Sequence, residues 1–211
     1  MRKGIIFDMD GTLWDSAQNV AKSWNMVLVE KKIDRAPITM EDMHRVMGKT
    51  MDVIAEILFP QLERDEKIEL LHQCCLAEND YLREHGGILY PKVKETMTRL
   101  KENYHLYIVS NCQVGYIEAF LDYYGLQDLI EDTQCYGQNE LPKGDNIRIL
   151  YDRNGLDAAV YVGDIEGDYE ASKKAGIPFI HASYGFGTIS EDVPKIRTFD
   201  ELDRVVTGVL G

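Results

Sequence analysis

The sequence predicts an α/β protein in which a doubly wound parallel sheet carries a helical domain inserted after its first strand. Three observations support this fold class. Residues 4–7 form a short apolar run, which is typical of a buried strand. Residues 15–87 then place apolar side chains at helical spacing almost throughout. From Pro91 onward, helical and strand patterns alternate, and this alternation gives a parallel sheet with right-handed crossovers.

The inserted segment divides into several predicted helices. The first follows Ser16, which we expect to cap it, and a break at Pro37 separates it from a short helix over residues 40–47. Residues 48–50 interrupt the pattern again, and the next apolar stripe ends at Pro60. The last helix covers residues 65–85 and stops at two glycines. Its predicted inward face consists of Ile68, Leu71, Cys75, Asn79 and Leu82.

The second half alternates regularly between the two patterns. Strands are predicted over residues 104–109, 158–162 and 178–182, with a weaker one near residues 135–136. One helix is predicted to begin at Pro91, and two others to end at Gly125 and Gly176. Another includes Ile147 and Leu150, and a terminal helix begins at Asp200.

Composition limits the classes of function. The 211 residues are 45% hydrophobic, which indicates a sizeable core, and the net charge is −13 from 23 basic and 36 acidic residues. This balance disfavours nucleic acid or an anionic membrane as a partner, because both require basic patches. A bound cation can nevertheless reverse the sign locally for a small anionic substrate.

The four cysteines predict no zinc site, because they form no CxxC and no histidine pair accompanies them. Cys74 and Cys75 are adjacent, so we expect only one of them to face inward on a helix. The chain has no signal-like or membrane-length apolar stretch. We therefore expect a cytoplasmic protein with reduced thiols and no membrane partner.

The most informative motif is Asp8-Met9-Asp10-Gly11-Thr12, which directly follows the first strand. Side chains alternate along a strand, so Asp8 and Asp10 are expected to leave the same face. Two carboxylates this close repel each other unless a cation lies between them or they share a proton. A solvated aspartate-rich turn is the alternative, and the motif alone does not exclude it.

Later polar residues also lie at the carboxyl ends of predicted strands, where parallel sheets bind ligands. Ser110-Asn111 follow one strand, and Asp164 with Asp168 follow another. Lys143 stands just before a helix start, where a cation beside backbone N–H groups suits a phosphate. Alone, each residue has a structural explanation. Together they predict phosphoryl chemistry with a hard cation such as Mg²⁺.

These four motifs, in this order, resemble those of the haloacid dehalogenase-like hydrolase superfamily. The resemblance covers essentially the whole chain and implies a Rossmann-like core at residues 1–14 and 88–211 with an all-helical cap domain at residues 15–87. One departure occurs. Relatives commonly have proline after the motif lysine, whereas Gly144 follows Lys143 here, so the loop lacks a fixed φ.

The resemblance also implies a role for each motif residue. Asp8 is the nucleophile that forms an aspartyl-phosphate, and Asp10 protonates the leaving alcohol before activating water. Mg²⁺ is held by Asp8, the backbone carbonyl of Asp10 and Asp164, while Asp168 orients this shell or the lysine. The remaining motif residues contact the transferring phosphoryl group or the substrate: Ser110, Lys143, Asn111, Gly11 and Thr12.

The implied activity is Mg²⁺-dependent hydrolysis of a small phosphorylated metabolite, such as phosphoglycolate or a sugar phosphate, by a monomer or homodimer. Asp15-Ser16-Ala17 and the loop at residues 183–187 resemble phosphoglycolate phosphatase-like members. The β-phosphoglucomutase-like members have a cap histidine and arginine where this chain has Val20 and Met51. Lys49 is the cap residue expected to contact an anionic substrate group. Phosphotransfer of the mutase kind, hydrolysis of pyrophosphate or nucleotides, and a catalytically silent phosphate-binding regulator stay open as alternatives.

Overall fold

The computed structural model describes all 211 residues. In chain order, the strands are β1 (Lys3–Phe7), β2 (Trp14–Asp15), β3 (Ile88–Leu89), β4 (His105–Ser110), β5 (Asp132–Cys135), β6 (Ala158–Gly163), β7 (Phe179–Ala182) and β8 (Lys195–Ile196). The helices are α1 (Ala17–Glu30), α2 (Met40–Val46), α3 (Met51–Leu58), α4 (Arg64–His85), α5 (Val93–Leu100), α6 (Tyr116–Tyr124), α7 (Lys143–Arg153), α8 (Glu166–Ala175) and α9 (Leu202–Leu210).

Six strands form one sheet in the order β5-β4-β1-β6-β7-β8, and every neighbouring pair is parallel. Both faces of β1 are buried, which explains why its sequence is a continuous apolar run rather than an alternating one. Phe7 packs on one face in a core shared with Met97 of α5 and Val206 of α9. Ile6 packs on the other face with Ile147 of α7 and Ala171 of α8. Helices therefore cover both faces, and the predicted doubly wound α/β fold is confirmed.

Helices α1 to α4 form the inserted helical segment. The two short strands at its ends were not predicted. Strands β2 and β3 pair in an antiparallel ribbon, with Trp14 opposite Leu89 and Asp15 opposite Ile88. Two-residue strands are too short for periodicity to reveal them. The ribbon lies at both predicted boundaries of the cap, so the chain enters and leaves the helical segment through one paired element. The edge strand β8 is equally short and was also missed.

The prediction that only one of Cys74 and Cys75 faces inward is wrong, because both are buried. Helix α4 packs against α1, α3 and α6, so more than one of its faces is covered. The predicted stripe on α4 is buried at Cys75, Asn79 and Leu82. Ile68 is exposed, however, and the buried Glu78 lies outside the stripe. None of the nine α-helices is long and apolar enough to span a membrane.

Candidate active site

The candidate site lies where β1, β4 and β6 end. β1 stands between the other two strands, so the loops that follow these three strands are neighbours. Asp8 comes directly after β1, Ser110 is the last residue of β4, and Asp164 comes directly after β6. Because β1 ends at Phe7, Asp8 and Asp10 belong to the following loop and not to the strand. Their carboxylates consequently have different partners.

Lys143 lies between two carboxylates. Its Nζ donates to Asp8 Oδ1 at 2.8 Å and to Asp168 Oδ1 at 2.6 Å, and all three side chains are at most 5% exposed. Burial alone would lower the pKa of Lys143, but the Asp168 and Asp8 carboxylates raise it well above its ordinary value. The lysine is therefore charged and immobilised beside Asp8.

Lys143 is the first residue of α7, and Pro142 precedes it. The glycine that follows has a packing explanation. A Cβ added to Gly144 would lie 2.9 Å from the carbonyl oxygen of Ala171 in α8, so glycine allows α7 and α8 to approach closely. The departure from the lysine–proline pattern thus leaves the lysine beside Asp8.

Asp8, Asp164 and Asp168 have carboxylate oxygens that all lie within 4.8 Å of one another. Burial raises the pKa of Asp8 and of Asp164, and the neighbouring Asp168 charge raises both further. Asp168 has both oxygens engaged, since Oδ1 accepts from Lys143 and Oδ2 accepts the backbone N–H groups of Asp164 and Ile165. Asp8 accepts one hydrogen bond, from Lys143, and each Asp164 oxygen has one donor, so both residues keep lone pairs for a hard divalent cation.

The loop after Asp10 and the loop at residues 183–187 meet at Asp164. The Phe186 N–H donates to Asp164 Oδ2 at 2.7 Å. Gly11 has a φ of +85°, and a Cβ there would lie 2.1 Å from Asp164 Oδ2, so this position requires glycine. Tyr184 Oη donates to the carbonyl of Thr12 at 2.7 Å, which ties the two loops together.

Gly11 and Thr12, predicted to bind substrate, have their donors engaged within the protein. Their N–H groups donate to the carbonyls of Trp14 and Met9, and the buried Thr12 hydroxyl lies 3.4 Å from Asp164 Oδ1. Their substrate contact stays a prediction, while their position beside Asp164 supports the carboxylate cluster.

The Asp10 carboxylate has a separate set of hydrogen-bond partners. Ser16 Oγ donates to Asp10 Oδ1 at 2.7 Å, and Tyr116 Oη lies 2.8 Å from Oδ1 and 3.0 Å from Oδ2. Ser16 precedes α1 without capping it, contrary to expectation, because its hydroxyl serves Asp10. Burial raises the pKa of Asp10 to about 6, although these two hydrogen bonds oppose the rise. A carboxyl group with this pKa can both give and take a proton near neutral pH.

A cavity between the sheet edge and the inserted helices contains Asp8, Asp10, Ser110 and Asn111. The inserted segment contributes Lys49 and Glu78 to this cavity. Its other contributions are apolar side chains: Val20, Trp24, Met43, Val46, Met47, Met51 and Ile54. Lys49 is the one cationic side chain in this lining, and it is exposed.

Hydrogen bonds close the cavity by joining α4 and the loop after α2 to the segment after β4. Asn111 Nδ2 donates to the Gly48 carbonyl at 2.9 Å. Gln113 Nε2 donates to Glu78 Oε1 at 3.1 Å and to Asn79 Oδ1 at 2.9 Å. Sequence reasoning did not identify Tyr116, Gln113 or Glu78, because no local pattern marks these residues and their partners are distant in the chain.

Comparisons with known proteins agree with this geometry. Residues 5–182 match the family model described as haloacid dehalogenase-like hydrolase. The phosphoglycolate phosphatase of Aliivibrio fischeri is 28% identical over 209 residues, which covers 92% of this chain and 91% of the relative. The phosphoglycolate phosphatase of Yersinia pestis is 27% identical over 194 residues, covering 87% and 82% respectively. The crystal structure of CbbY from Rhodobacter sphaeroides in complex with phosphate has a TM-score of 0.80 at 18% identity and covers 96% of each chain.

Proposed function

This chain belongs to the haloacid dehalogenase-like hydrolases, and we propose that it is a magnesium-dependent phosphatase that hydrolyses small phosphomonoesters through an aspartyl-phosphate on Asp8. The observation that carries this proposal is the buried Lys143 held between Asp8 and Asp168 beside Asp164. Curated relatives over most of its length are phosphatases. A nucleophile, a fixed cation and a site for a hard metal ion are thus brought together.

The donor set fits Mg²⁺. Three buried carboxylates share one lysine, so the cluster retains negative charge that a divalent cation would balance. We assign Asp8, Asp164 and the backbone carbonyl of Asp10 as its ligands, and Asp168 as the residue that orients Lys143 and the Asp164 loop. When bound, Mg²⁺ supplies Lewis-acid stabilisation of charge on the phosphoryl oxygens.

Phosphoryl transfer to Asp8 requires one free carboxylate oxygen. Lys143 occupies Oδ1, which leaves Oδ2 to attack phosphorus while the bond from phosphorus to the alcohol oxygen breaks. Ser110 and Asn111 line the cavity beside Asp8, and Lys143 is hydrogen-bonded to Asp8 itself. The Ser110 hydroxyl and the Lys143 ammonium offer donors to the oxygens of the transferring group. This preorganisation lowers the barrier because the donors do not reorganise as charge develops.

Asp10 serves both proton transfers. Its neutral form gives a proton to the leaving alcohol oxygen, and the resulting carboxylate takes a proton from the water that attacks the aspartyl-phosphate phosphorus. Hydrogen bonds from Ser16 and Tyr116 hold the carboxyl group away from the Asp8–Asp164–Asp168 cluster. The two aspartates of one motif therefore have different tasks.

Hydrolysis of para-nitrophenyl phosphate, with Mg²⁺ and with EDTA, tests this proposal. We expect activity only with Mg²⁺, and a phosphoenzyme trapped by acid quench in the wild type but absent in Asp8→Asn. Asp10→Asn should slow both formation and hydrolysis of the phosphoenzyme. Asp34→Asn, an exposed change of the same chemistry, is the matched control. An inactive wild type, or an active Asp8→Asn, contradicts the proposal.

The substrate named for the curated relatives, phosphoglycolate, and the sugar phosphates are the first compounds to test. Phosphotransfer of the mutase kind is less well supported, because Val20 and Met51, both apolar, line the cavity at the positions where mutase-like members have histidine and arginine. Release of inorganic phosphate from each compound separates hydrolysis from phosphotransfer. Pyrophosphate and a nucleoside monophosphate complete the panel.

A further inference from the structure

Glu78 of α4 is a buried carboxylate in the substrate cavity, and the mechanism above does not use it. Its side chain is almost fully buried (3% exposed). Its two oxygens accept hydrogen bonds from the Trp24 indole N–H and from Gln113 Nε2. Both donors are neutral, and no lysine, arginine or histidine forms an ion pair with Glu78. Burial accordingly raises the pKa of Glu78 to about 7.

Comparison with Lys67, the other buried charged residue of the inserted helices, shows that Glu78 lacks an oppositely charged partner. Lys67, also on α4, is buried and donates to Glu56 at 2.7 Å. A buried charge is costly unless an opposite charge and hydrogen bonds compensate it. Lys67 has this compensation within the chain, whereas Glu78 has only neutral hydrogen-bond donors. Within the chain Glu78 loses this cost only by protonation, so a cation that stabilises its charged form has to come from outside the chain.

Two further acceptors belong to residues that line the same cavity. Asn111 Oδ1 and Gln113 Oε1 are buried and have no hydrogen-bond partner. Their assignment as oxygens is fixed, because Asn111 Nδ2 donates to the Gly48 carbonyl and Gln113 Nε2 donates to two side-chain oxygens. Reversing either amide would place oxygen against oxygen. Two acceptors beside Glu78 on the segment after β4 thus lack donors within the chain.

The remaining lining restricts the ligand further. The inserted segment lines the cavity with apolar side chains such as Trp24 and Met47, and the exposed Lys49 is the one cation of the lining. A carboxylate on the leaving group would lie in the same cavity as the Glu78 carboxylate, and like charges in a site of low polarity repel strongly. A hydroxyl group would satisfy acceptors but would leave the charge of Glu78 uncompensated.

We propose that Glu78 determines substrate specificity by binding an ammonium group on the leaving alcohol, so that the preferred substrates are phosphomonoesters of small amino alcohols. This inference rests on the phosphatase activity proposed above. Glu78 is the counter-ion of the ammonium group, and Asn111 Oδ1 and Gln113 Oε1 accept its other N–H groups. The phosphate lies at Asp8, so the cavity connects the two ends of the substrate.

Three phosphomonoesters of similar size separate the relevant chemistries: phosphoethanolamine carries an ammonium group, glycerol phosphate carries hydroxyls, and phosphoglycolate carries a carboxylate. With Mg²⁺, we expect kcat/KM for phosphoethanolamine to exceed that for phosphoglycolate by about 100-fold, the value of one hydrogen-bonded charge. Glycerol phosphate should fall between them. A higher kcat/KM for phosphoglycolate or glycerol phosphate than for phosphoethanolamine overturns the inference.

The variant Glu78→Gln keeps the shape of the side chain and removes its charge. We expect the ratio of kcat/KM values for phosphoethanolamine and phosphoglycolate to fall by about 30-fold in this variant. This ratio is insensitive to a partial loss of folded protein. Glu84→Gln, an exposed change on the same helix, should keep the wild-type ratio. An unchanged ratio in Glu78→Gln overturns the inference.

Binding without turnover separates this inference from the proposed function. Calorimetry with Asp8→Asn and Mg²⁺ should show tighter binding of phosphoethanolamine than of phosphoglycolate, and the added change Glu78→Gln should remove the difference. If the wild type fails to hydrolyse para-nitrophenyl phosphate but Asp8→Asn retains this binding preference, the phosphatase proposal fails and the ammonium site stands. If hydrolysis occurs without the preference, the ammonium site fails alone.

Discussion

Replacing Lys143 with methionine should destabilise the protein by about 3–5 kcal/mol, the cost of leaving buried carboxylates without their cation. Methionine preserves most of the apolar stem, so the change isolates the charge. In the wild type, Nζ lies 2.8 Å from Asp8 Oδ1 and 2.6 Å from Asp168 Oδ1, with little exposure of any partner. Both carboxylates lose their strongest hydrogen bond in the variant.

The loss should depend on pH. Burial already raises the pKa of Asp8 in the folded protein, and removing Lys143 removes a charge that lowers this pKa. An acid whose pKa is higher in the folded than in the unfolded state binds an extra proton on folding, so its penalty grows as pH rises between the two pKa values. We therefore expect the free energy of unfolding of Lys143→Met to fall further below wild type at pH 8 than at pH 6.

Urea unfolding followed by circular dichroism, in EDTA, measures these differences. Lys174→Met is the matched control, because Lys174 also bonds to an aspartate, Asp145 at 2.7 Å, but is about half exposed. An exposed pair of this kind contributes about 0–1 kcal/mol. Adding Mg²⁺ should reduce the deficit of Lys143→Met, since a divalent cation among the carboxylates replaces part of the missing charge.

A loss of less than about 1 kcal/mol in Lys143→Met, or a loss equal to that of Lys174→Met, would refute this reasoning. It would mean that the Asp8–Lys143–Asp168 contacts do not form a desolvated network. A deficit that is the same at pH 6 and pH 8 would refute the electrostatic explanation while leaving a packing contribution.

Three further predictions concern other residues of the candidate site. Tyr116→Phe removes a donor to Asp10, so kcat for para-nitrophenyl phosphate should fall about tenfold in steady-state assays. Gly11→Ala would place a Cβ 2.1 Å from Asp164 Oδ2, so Mg²⁺ titrations monitored by thermal shift should show weakened affinity or none. Burial raises the pKa of Glu78 to about 7 from 4.5, so folding binds a proton between these pH values and wild type loses stability as pH rises. Relative to Glu78→Gln, the free energy of unfolding should fall by about 2–3 kcal/mol. Urea unfolding at pH 5 and pH 8 measures this difference.

The core was predictable because its informative residues follow strands. Asp8, Ser110 and Asp164 each stand where an apolar run ends, and parallel strands bring such ends to one edge of a sheet. Lys143 was placed by its position at a helix start. The family resemblance supplied roles for these residues, and the structure supplied the contacts that distinguish Asp8, beside the lysine, from Asp10, beside two hydroxyls.

The partners of Asp10 and the inner wall of the cavity were not predictable, for two physical reasons. Tyr116 lies 106 residues from Asp10 and reads in sequence as one more apolar position of α6. Glu78 lies on a helix that packs against α1, α3 and α6, so its buried face is wider than one apolar stripe. Amphipathic spacing identifies one buried face, so it found Cys75, Asn79 and Leu82 but missed Glu78 and included the exposed Ile68.

The buried acids of the core, Asp8 and Asp168, and the buried acid of α4, Glu78, are expected to have different functions. In the core, Lys143 compensates part of the charge of Asp8 and Asp168 within the chain, so the phosphoryl chemistry does not depend on the leaving group. On α4, Glu78 has no such cation, so its charged form is compensated only when a ligand supplies one. A substitution at Glu78 should therefore change which alcohol is released, whereas a substitution at Lys143 should affect the hydrolysis of every phosphomonoester.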